Sequence, residues 1–568
     1  MYKWKVKKFN KDRVEKLSEN FNIPKILAKI FIDRNITTTD KINNFLNPEK
    51  QDHFDPYLLK GISEAVVRIK QAKMNNEKVT IYGDYDVDGA TSVSLLYLYF
   101  QKIGIDVDYY IPDRENEGYG LSNNGIDRIE DEDSTLIITC DCGISAIEEI
   151  EYANQKGIDI IVTDHHTVGD NIPQAYAVIN PKQKDCNYPF PYLAGVGVAF
   201  KLAEALSQDF KIAENYLTEL LDLVAIGTAA DIVDMSGENR ILVAEGLKQV
   251  RDTSNYGIRE LLKITGLYDS QKISVSDIVF RISPRLNAAG RMASASLAVN
   301  LLTTKSKVNA HQLATHLEKL NSKRRSIEDK TINDAMLQLK SNYDTEDDKL
   351  FLLYEKNWHK GVLGIVASKL IDKYKRPAIL ISVDNNNMGV GSARSIPGFD
   401  IYKVLSQCEN YLENFGGHPR AAGLTVSEYN IESLKESLTE LADQKITDQM
   451  LTPALEIDSV IKFNEINQRT ISILKQLSPF GPTNMKPVFA ARNVYVSGIP
   501  RIVGRNHLKF RAIQNKIVIS AIGWKLANLY EMLISNRPLD IAFVIEENKY
   551  NGMKEIQLNI KDIKYSDE

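Results

Sequence analysis

The strongest constraint on the fold is an alternation of short apolar runs with helix-like stretches between residues 78 and 180. The apolar runs are KVTIYGD, DVDYYIP, STLIITCD and DIIVTDHH, and the stretches between them include TSVSLLYLYFQKIG and SAIEEIEYANQKG. Parallel strands need crossover connections of this length, which are usually helices packed on the sheet. The pattern therefore predicts an α/β domain built on a parallel sheet.

The remainder of the chain predicts further parts, because 568 residues are too many for one hydrophobic core. A polar stretch with leucines and isoleucines at helical spacings predicts a long connecting helix, and KLFLLYE begins a second α/β unit. Short β-rich runs such as RIVGRNHLKFRAI predict a small C-terminal β-barrel. The expected domains are an N-terminal lead-in at 1–70, the parallel-sheet domain at 71–305, the connecting helix at 306–340, the second α/β domain at 345–447 and the barrel at 450–568.

The composition argues against a membrane or secreted protein. No apolar run approaches the roughly 20 residues of a spanning helix, and MYKWKVKKFN has no apolar stretch after its charges. Four cysteines in 568 residues cannot form a disulfide scaffold, and none has the spacing of a zinc-binding pair. We expect a cytoplasmic protein with reduced thiols.

Acidic residues and histidines follow three strands of the predicted sheet. They are Asp84, Asp86 and Asp88, then Asp141, and then Asp164, His165 and His166. The carboxyl ends of parallel strands open onto one crevice, where ligands bind. So many carboxylates repel one another unless a cation neutralises them. Oxygen ligands with one or two imidazoles suit two ions of Mn²⁺ or Mg²⁺, and such pairs hydrolyse phosphodiester bonds.

Each of these motifs has a structural alternative. A single D-x-D after a strand is more often a turn or helix cap, and a histidine pair is more often structural. The chain has only eight histidines, however, and two of them adjoin Asp164, which favours a functional site. Cys140 and Cys142 flank Asp141, and strand alternation predicts that both point together, away from it, into the core.

The motifs GDYDVDGATS, TCDCG, VTDHH and GTAAD, in this order, resemble the four signature motifs of the DHH phosphoesterases. The resemblance implies that Asp86, Asp88, His165 and Asp231 bind metal and that Asp141 bridges two ions. It also implies that His166 contacts the substrate or acts in catalysis. The candidate catalytic residues are therefore Asp141, Asp164 and His166.

One position departs from the family pattern. Many DHH enzymes carry a histidine where this sequence has Tyr82. The exonuclease branch of the family often lacks that histidine too, so Asp84 can supply the missing ligand. The assignment among Asp84, Asp86 and Asp88 stays open.

Two further segments resemble substrate-binding motifs of the family. SPRLNAAGRM resembles a motif of the exonuclease branch that faces the metals, and GGHPRAAG resembles the glycine-rich motif of DHHA1 domains. Guanidinium groups fork onto phosphate oxygens, and glycines let a backbone approach a phosphate closely. Surface ion pairs and a tight turn are the structural alternatives. The predicted phosphate- and nucleotide-binding residues are Arg285, Asn287, Arg291, Ser392, Arg394, Gly416, Gly417 and His418.

The stretch from Ile466 to Tyr530 contains no Asp or Glu but has ten Lys and Arg residues. A basic barrel with interleaved aromatic rings suits single-stranded nucleic acid, although most of the rings are expected in the core. By resemblance this part is the OB-fold domain of the exonuclease branch. The predicted single-strand-binding residues are Arg501, Arg505, Lys509 and Arg511.

The resemblance as a whole implies a single-stranded-DNA-specific 5′-to-3′ exonuclease that acts in DNA repair and recombination. Single-strand-binding protein and a helicase are its candidate partners, and a monomer is expected. Two alternatives stay open. One is a phosphodiesterase acting on short oligonucleotides or cyclic dinucleotides, whose relatives generally lack the basic barrel. The other is a replication scaffold without activity, whose relatives have lost metal-binding acids.

Overall fold

A computed structural model describes residues 2–48, 53–113, 117–118, 120–550 and 553–566. The chain divides into two compact units. The smaller unit comprises Met1–Lys50, Ile446–Phe480 and Met485–Glu568, and the larger unit comprises Gln51–Lys445 and Gly481–Asn484. The N-terminal 50 residues therefore share a unit with the C-terminal part of the chain, an assembly that no local sequence pattern indicates.

A five-stranded parallel sheet organises the larger unit. Its strands, in spatial order, are Asp106–Tyr110, Lys78–Gly83, Ser134–Cys140, Asp159–Thr163 and Ala177–Ile179. The second, third and fourth strands are almost wholly buried, as expected of strands covered by helices on both faces. The predicted parallel sheet is confirmed.

Helices cover both faces of this sheet and pack behind it. They are Ile62–Asn75, Val87–Ile103, Asn123–Asp131, Ile147–Gln155, Gly195–Phe210, Glu214–Ala230, Gly237–Arg251, Tyr256–Ile264, Val275–Asp277, Ser283–Met292 and Ser296–Thr303, with a π-helical turn at Ile278–Ile282. One face of the sheet packs into a large apolar cluster that includes Phe100 and Phe200, and the other into a smaller cluster that includes Tyr82 and Ile126. Val87–Ile103 is buried along most of its length because helices pack around it.

The predicted connecting helix is present as Lys307–Asn342 and leads into the second α/β part of the larger unit. There a five-stranded mixed sheet has the spatial order Asn414–His418, Ala421–Ser427, Met388–Arg394, Ala378–Val383 and Phe351–Lys356. Its helices are Lys360–Tyr374, Ile401–Ser406 and Ile431–Lys445.

Among the described residues of the whole chain, no helix is both long and apolar enough to cross a bilayer.

The smaller unit contains a closed five-stranded barrel, which confirms the predicted barrel. Its strands, in order around the barrel, are Phe489–Val496, Leu539–Tyr550, Met553–Tyr565, Ile517–Gly523 and His507–Gln514, and the last pairs again with the first. Short strands at Ser459–Val460 and Arg501–Val503 extend the sheet, and Lys3–Val6 pairs in parallel with Ala454–Ile457. The helices of this unit are Lys11–Asn20, Lys25–Asp33, Thr39–Leu46, Asp448–Leu451, Gln468–Gln476 and Tyr530–Ile534.

A charged network fixes the start of the larger unit to two of its helices. His53 Nδ1 lies 2.6 Å from Glu204 Oε1, and His53 Nε2 lies 2.9 Å from Glu245 Oε2. Burial lowers the pKa of His53, but the two hydrogen bonds outweigh it and raise the pKa to about 9. Lys201 lies on the same helix as Glu204 and contacts it at 2.7 Å. The network therefore joins the segment at His53 to the helices Gly195–Phe210 and Gly237–Arg251.

Replacing His53 by glutamine tests this network through its pH dependence. The folded-state pKa of about 9 lies above the ordinary value of 6.5. The protonated His53 therefore contributes its full stabilisation at a pH below 6.5. This contribution is lost as the pH rises through the folded-state pKa. We expect His53→Gln to reduce the free energy of unfolding by about 2 kcal/mol near pH 6 and by much less near pH 10. Calorimetric melting at both pH values measures the difference.

His311 provides the matched control. It also pairs with a glutamate, Glu260, at 3.1 Å, but its side chain is 69% exposed. His311→Gln should change the melting temperature little at either pH, because exposed ion pairs contribute little. A destabilisation by His53→Gln that is equal at both pH values would contradict the role of the charged histidine.

Candidate metal centre

Three neighbouring strands of the parallel sheet end directly before candidate ligands. Asp84, Asp141 and Asp164 are the first residues after Lys78–Gly83, Ser134–Cys140 and Asp159–Thr163, respectively. These strands pair in parallel, so their carboxyl ends lie at one edge of the sheet. The acidic side chains are thereby brought to one crevice.

Potential ligand atoms in this crevice fall into three groups, and within each group the atoms lie within 4.8 Å of one another. The groups are Asp84, Asp86 and Asp141; Asp88, His165 and Asp231; and Asp141, His165 and His166. His165 Nε2 lies 3.0 Å from Asp141 Oδ1 and 3.5 Å from Asp231 Oδ2, which joins the groups. The convergence predicted from the strand ends is present, and all three aspartates of GDYDVDG take part in it.

Asp88 is held by the beginning of a helix. Its carboxylate accepts hydrogen bonds from Gly195 N–H at 2.7 Å and Val196 N–H at 2.9 Å, where Gly195–Phe210 begins. Helix N-termini stabilise negative charge through such amides. No local sequence pattern indicates the contact between this helix and the acidic cluster.

Two glycines make room for the buried carboxylates. A Cβ at Gly195 would lie 2.8 Å from Asp141 Oδ1, and a Cβ at Gly227 would lie 2.9 Å from Asp88 Oδ1 and 2.3 Å from Thr91 Oγ1. Gly227 belongs to the GTAAD motif, four residues before Asp231. The motif therefore supplies a ligand and also the space beside another one.

The electrostatics of the crevice favour the binding of a positive charge. Burial and the repulsion of neighbouring carboxylates raise the pKa of Asp88 and Asp141 well above the ordinary range. Burial also raises the pKa of Asp231 and lowers the pKa of His165 to about 4, so the imidazole is neutral near pH 7. A neutral imidazole is the form that binds a metal ion.

The donor set fits a divalent cation. Neither ring nitrogen of His165 makes a hydrogen bond within the described chain, and the same holds for the buried Oδ2 of Asp231. Leaving such a buried group unsatisfied costs about 1–3 kcal/mol, which coordination of a cation would offset. Five carboxylates with an imidazole favour Mn²⁺ or Mg²⁺ over a structural zinc ion, which prefers cysteine and histidine.

Asp164 orients His166. Its Oδ1 accepts from His166 Nδ1 at 2.8 Å and from the backbone N–H groups of both histidines, and its Oδ2 accepts from Ile144 N–H at 2.9 Å. Burial lowers the pKa of His166, but the bond to Asp164 outweighs it and raises the pKa. The His166 side chain is 37% exposed, whereas the Asp164 side chain that holds it is buried.

The loop that follows the edge strand Ala177–Ile179 supplies two residues that the sequence motifs did not indicate. Asn180 donates from Nδ2 to His166 O at 3.0 Å, and Lys182 donates from Nζ to His165 O. The two residues are also joined to each other, since the backbone N–H of Lys182 donates to the side-chain Oδ1 of Asn180 at 2.8 Å. The only local signal is their position directly after a short apolar run, and many loops share that feature.

The backbone at two candidate ligands departs from regular geometry. Asp141 has a φ of +62°, and Ile232, next to Asp231, has a φ of +61° although it is β-branched. Such conformations cost about 1–3 kcal/mol and cluster at functional sites. The turn at Asp141 also corrects an expectation: Cys140 and Cys142 are both buried but lie in different apolar clusters, because regular strand alternation ends at Cys140.

Tyr82 takes no part in the crevice. It is fully buried in the cluster on the opposite face of the sheet, where its hydroxyl donates to Gly120 O at 3.0 Å and its ring contacts Tyr110. Asp84 instead lies in the group with Asp86 and Asp141. This position of Asp84 agrees with the expectation that it can supply the ligand that the histidine provides in other DHH enzymes.

The helix Ser283–Met292, which carries SPRLNAAGRM, packs against the acidic loop. A Cβ at Gly290 would lie 2.8 Å from Tyr85 O, so only glycine allows this approach. Arg285 is buried and pairs with Glu318, with 2.5 Å between Nε and Oε2. Arg291 donates from Nη1 to Gly361 O at 3.1 Å, while Asn287 is half-buried on the same helix. The ion pair gives Arg285 a structural contact, and its phosphate role stays a prediction.

The glycine-rich motif of the second sheet forms a bare surface. Gly416 faces Gly423 in the strand register, Gly423 faces Ser392, and a Cβ at either glycine would meet no atom within 4 Å. Arg394 donates from Nη1 to Ser392 Oγ at 3.0 Å at the margin of this surface. The exposed His418 is the last residue of Asn414–His418, the edge strand that contains Gly416.

Gly417, in contrast, is required by the backbone. Its φ is +144°, and a Cβ there would lie 2.4 Å from Ala421 O. The structural alternative for this motif, a tight backbone conformation, therefore applies to Gly417. It lies next to the open surface at Gly416 and Gly423. The structure accordingly brings the predicted nucleotide-binding residues of this motif to one margin of the sheet.

The barrel displays basic residues on one strand. Lys509 and Arg511 are exposed and alternate with the buried Leu508 and Phe510 along His507–Gln514. Arg501 lies opposite Lys509 on the neighbouring strand, and Trp524 is 53% exposed. Within the described chain no ion pair is formed by Arg501, Arg505, Lys509 or Arg511. Their charges are therefore available to a polyanion.

Three family models match the chain. The DHH family N-terminal domain matches residues 78–228, the DHHA1 domain residues 347–448 and the RecJ OB domain residues 457–562. The single-stranded-DNA-specific exonuclease RecJ of Bacillus subtilis (strain 168) is 37% identical over 567 residues, covering 100% of this chain and 71% of that relative. The chain belongs to the RecJ family.

Solved structures of RecJ share this fold. RecJ from Thermus thermophilus in complex with Mn²⁺ has a TM-score of 0.84 and 26% identity, covering 99% of this chain and 79% of that chain. RecJ from the same organism in complex with Mg²⁺ has a TM-score of 0.78 and 25% identity, covering 99% and 78%. Both RecJ structures thus hold ions of the type that the donor set described above suits.

Gly227→Ala tests whether the crevice binds metal as a unit. Alanine normally stabilises a helix interior by about 1 kcal/mol relative to glycine. Here the Cβ would lie 2.3 Å from Thr91 Oγ1 and 2.9 Å from Asp88 Oδ1, so the side chains around Asp88 would have to shift. We expect the Kd for Mn²⁺, measured by isothermal titration calorimetry, to rise about 10- to 100-fold. Gly169→Ala is the control, because its Cβ would lie 3.8 Å from the nearest atom. Unchanged Mn²⁺ binding in Gly227→Ala would argue against Asp88 as part of the site.

Proposed function

We propose that the protein is a single-stranded-DNA-specific exonuclease that degrades its substrate from 5′ to 3′ by two-metal hydrolysis. The observation that carries the proposal is the pair of ligand groups in one crevice, Asp84, Asp86 and Asp141 beside Asp88, His165 and Asp231. Membership of the RecJ family supports the substrate class. The 5′-to-3′ polarity rests on the resemblance of the sequence motifs alone.

The proposed ligand sets follow from the two groups. Asp84 and Asp86 would hold one ion together with Asp141, and Asp88, His165 and Asp231 would hold the second. Asp141 is the proposed bridging ligand, because its Oδ1 lies 3.0 Å from His165 Nε2 of the second group. Bound divalent ions supply a water of lowered pKa and stabilise the charge on phosphoryl oxygens.

His166 is the proposed proton donor to the substrate. Burial lowers the pKa of His166, but the hydrogen bond between its Nδ1 and Asp164 outweighs this effect and raises the pKa above the ordinary value of 6.5, which favours the imidazolium. A positioned imidazolium can bind a phosphoryl oxygen or protonate the leaving oxygen. Asp164 acts through His166 by fixing its ring.

The terminal nucleotide is proposed to bind at the margin of the second sheet. Ser392 and Arg394 bind its phosphate, and the side-chain-free surface at Gly416 lets the sugar and base approach the backbone. His418 adds a donor at the end of the same strand. Asn287 and Arg291 are proposed as further phosphate contacts beside the acidic loop.

The barrel is proposed to bind the remainder of the strand through Arg501, Arg505, Lys509 and Arg511. Cations that track phosphates bind without sequence preference, and exposed rings such as Trp524 stack on bases.

From family resemblance we further propose a cytoplasmic monomer that acts in DNA repair and recombination with single-strand-binding protein and a helicase. We propose the bounds 71–305 for the parallel-sheet domain, 345–447 for the second α/β domain and 450–568 for the barrel.

Asp141→Asn tests the catalytic proposal with minimal change in shape. We expect Mn²⁺-dependent release of nucleotides from 5′-labelled single strands to fall at least about a thousandfold, because a bridging carboxylate loses its charge. Binding of the same strands, measured by fluorescence anisotropy, should change less than about twofold.

Wild-type protein assayed on three substrates provides the comparison. Single strands should be degraded faster than duplexes and faster than linear or cyclic dinucleotides. Equal or faster turnover of dinucleotides would reject the proposed substrate class, and full activity in Asp141→Asn would reject the bridging role.

A double substitution on the barrel tests the single-strand-binding surface. Lys509→Gln with Arg511→Gln should make the slope of log affinity against log salt shallower by about 1.4, since each phosphate contact on a single strand contributes about 0.7. The matched control is Lys475→Gln with Lys486→Gln, which removes the same charge from lysines paired with Glu547 and Glu546, each at 2.8 Å. Equal slope changes in both pairs of substitutions would count against a defined binding face.

A further inference from the structure

A four-residue turn from the C-terminal part of the chain belongs to the larger unit. Residues on both sides of Gly481–Asn484 belong to the smaller unit, but these four group with Gln51–Lys445. The turn is closed on itself, because Gly481 N–H donates to Asn484 O at 3.2 Å and Asn484 N–H donates to Gly481 O at 3.0 Å. We call these four residues the clip.

The clip contacts the loop that follows the candidate ligand Asp231. Met235 N–H donates to Pro482 O at 2.9 Å. The hydroxyl of Thr483 donates to the carboxylate of Asp234. Two consecutive residues of the clip therefore bind two consecutive residues of this loop.

The packing between the clip and the loop is close. A Cβ at Gly481 would lie 2.9 Å from Met235 Cβ, and the Met235 side chain is 1% exposed. From the other side, Asn239 Nδ2 donates to Asp234 O at 2.9 Å. The loop is thus held between the clip and the helix Gly237–Arg251.

The same loop contains a conformation that needs such support. Ile232, next to Asp231, has a φ of +61°, which β-branched residues rarely adopt. Its side chain is 62% exposed, so burial of the side chain does not enforce this conformation. Strained backbone persists only where surrounding contacts over-determine it, and the clip supplies contacts two and three residues downstream.

We propose that the clip is a positioning element for Asp231 and thereby raises the affinity of the metal centre for divalent cations. Asp231 Oδ2 lies 3.5 Å from His165 Nε2, so a small displacement of the loop opens this ligand group. Residues that hold metal ligands in place set affinity without touching the ion. The inference rests on the metal centre of the proposed function but requires no particular nucleic-acid substrate.

Two substitutions in the full-length protein test the clip. Thr483→Val removes the hydroxyl donor with little change in volume, and Gly481→Val forces Met235 to move. We expect the Kd for Mn²⁺, measured by calorimetry without DNA, to rise about tenfold in each variant. The KM for single-stranded DNA should stay unchanged, and hydrolysis should recover at saturating Mn²⁺.

Two further variants separate positioning from general destabilisation. Thr483→Ser keeps the hydroxyl and should therefore have the Kd of the wild-type protein. Thr439→Val removes a hydroxyl that donates within its own helix, to Lys435 O at 2.8 Å, and should leave the Kd unchanged. A wild-type Kd in both Thr483→Val and Gly481→Val would overturn the proposal, as would an equal loss in Thr439→Val.

The same titrations distinguish failure of the clip from failure of the proposed function. If the wild-type protein binds Mn²⁺ but does not hydrolyse DNA, the nuclease function fails and the comparison of Kd values still decides the role of the clip. If the wild-type protein binds no Mn²⁺, the metal centre and the clip proposal are both rejected.

Discussion

Repulsion among buried carboxylates is the constraint on which the centre of the larger unit depends. Five aspartates contribute to the ligand groups of one crevice, and burial together with mutual repulsion holds the pKa of Asp88 and Asp141 well above the ordinary range. A fold that gathers these groups gives up stability unless it supplies compensating charge. A divalent cation, backbone amides and close packing are the compensations that the structure offers.

Several of the compensating groups come from residues outside the acidic motifs, although Gly227 lies within GTAAD itself. Gly195 and Val196 direct amides at Asp88, and Gly227 leaves the space beside it. Asn180 and Lys182 hold the carbonyls of the two histidines from the sheet edge. Such supporting contacts fix ligand geometry, so the metal centre is a property of the whole parallel-sheet domain and not of four short motifs.

Two surfaces of the protein suit the substrate by different physical means. On the second sheet, Gly416 and Gly423 carry no side chain and follow Ser392 across the strand register, which favours close, geometry-dependent contacts with the backbone beside Ser392 and Arg394. The barrel strand instead presents Lys509 and Arg511 to solvent in a stretch without acids, which favours salt-dependent contacts with any sequence. In the proposed function, these two surfaces separate recognition of the terminal nucleotide from affinity for the rest of the strand.

The sequence by itself determined the parallel sheet, the connecting helix, the barrel and the convergence of Asp84, Asp141 and Asp164, because periodicity and strand ends are local signals that topology converts into position. Only the tertiary structure decided what fills the space around them. The burial of Arg285 against Glu318 and the separation of Cys140 from Cys142 depend on neighbours distant in the chain and on the turn at Asp141. The clip at Gly481–Asn484 joins the larger unit by contacts with residues nearly 250 positions earlier, for which no local pattern exists.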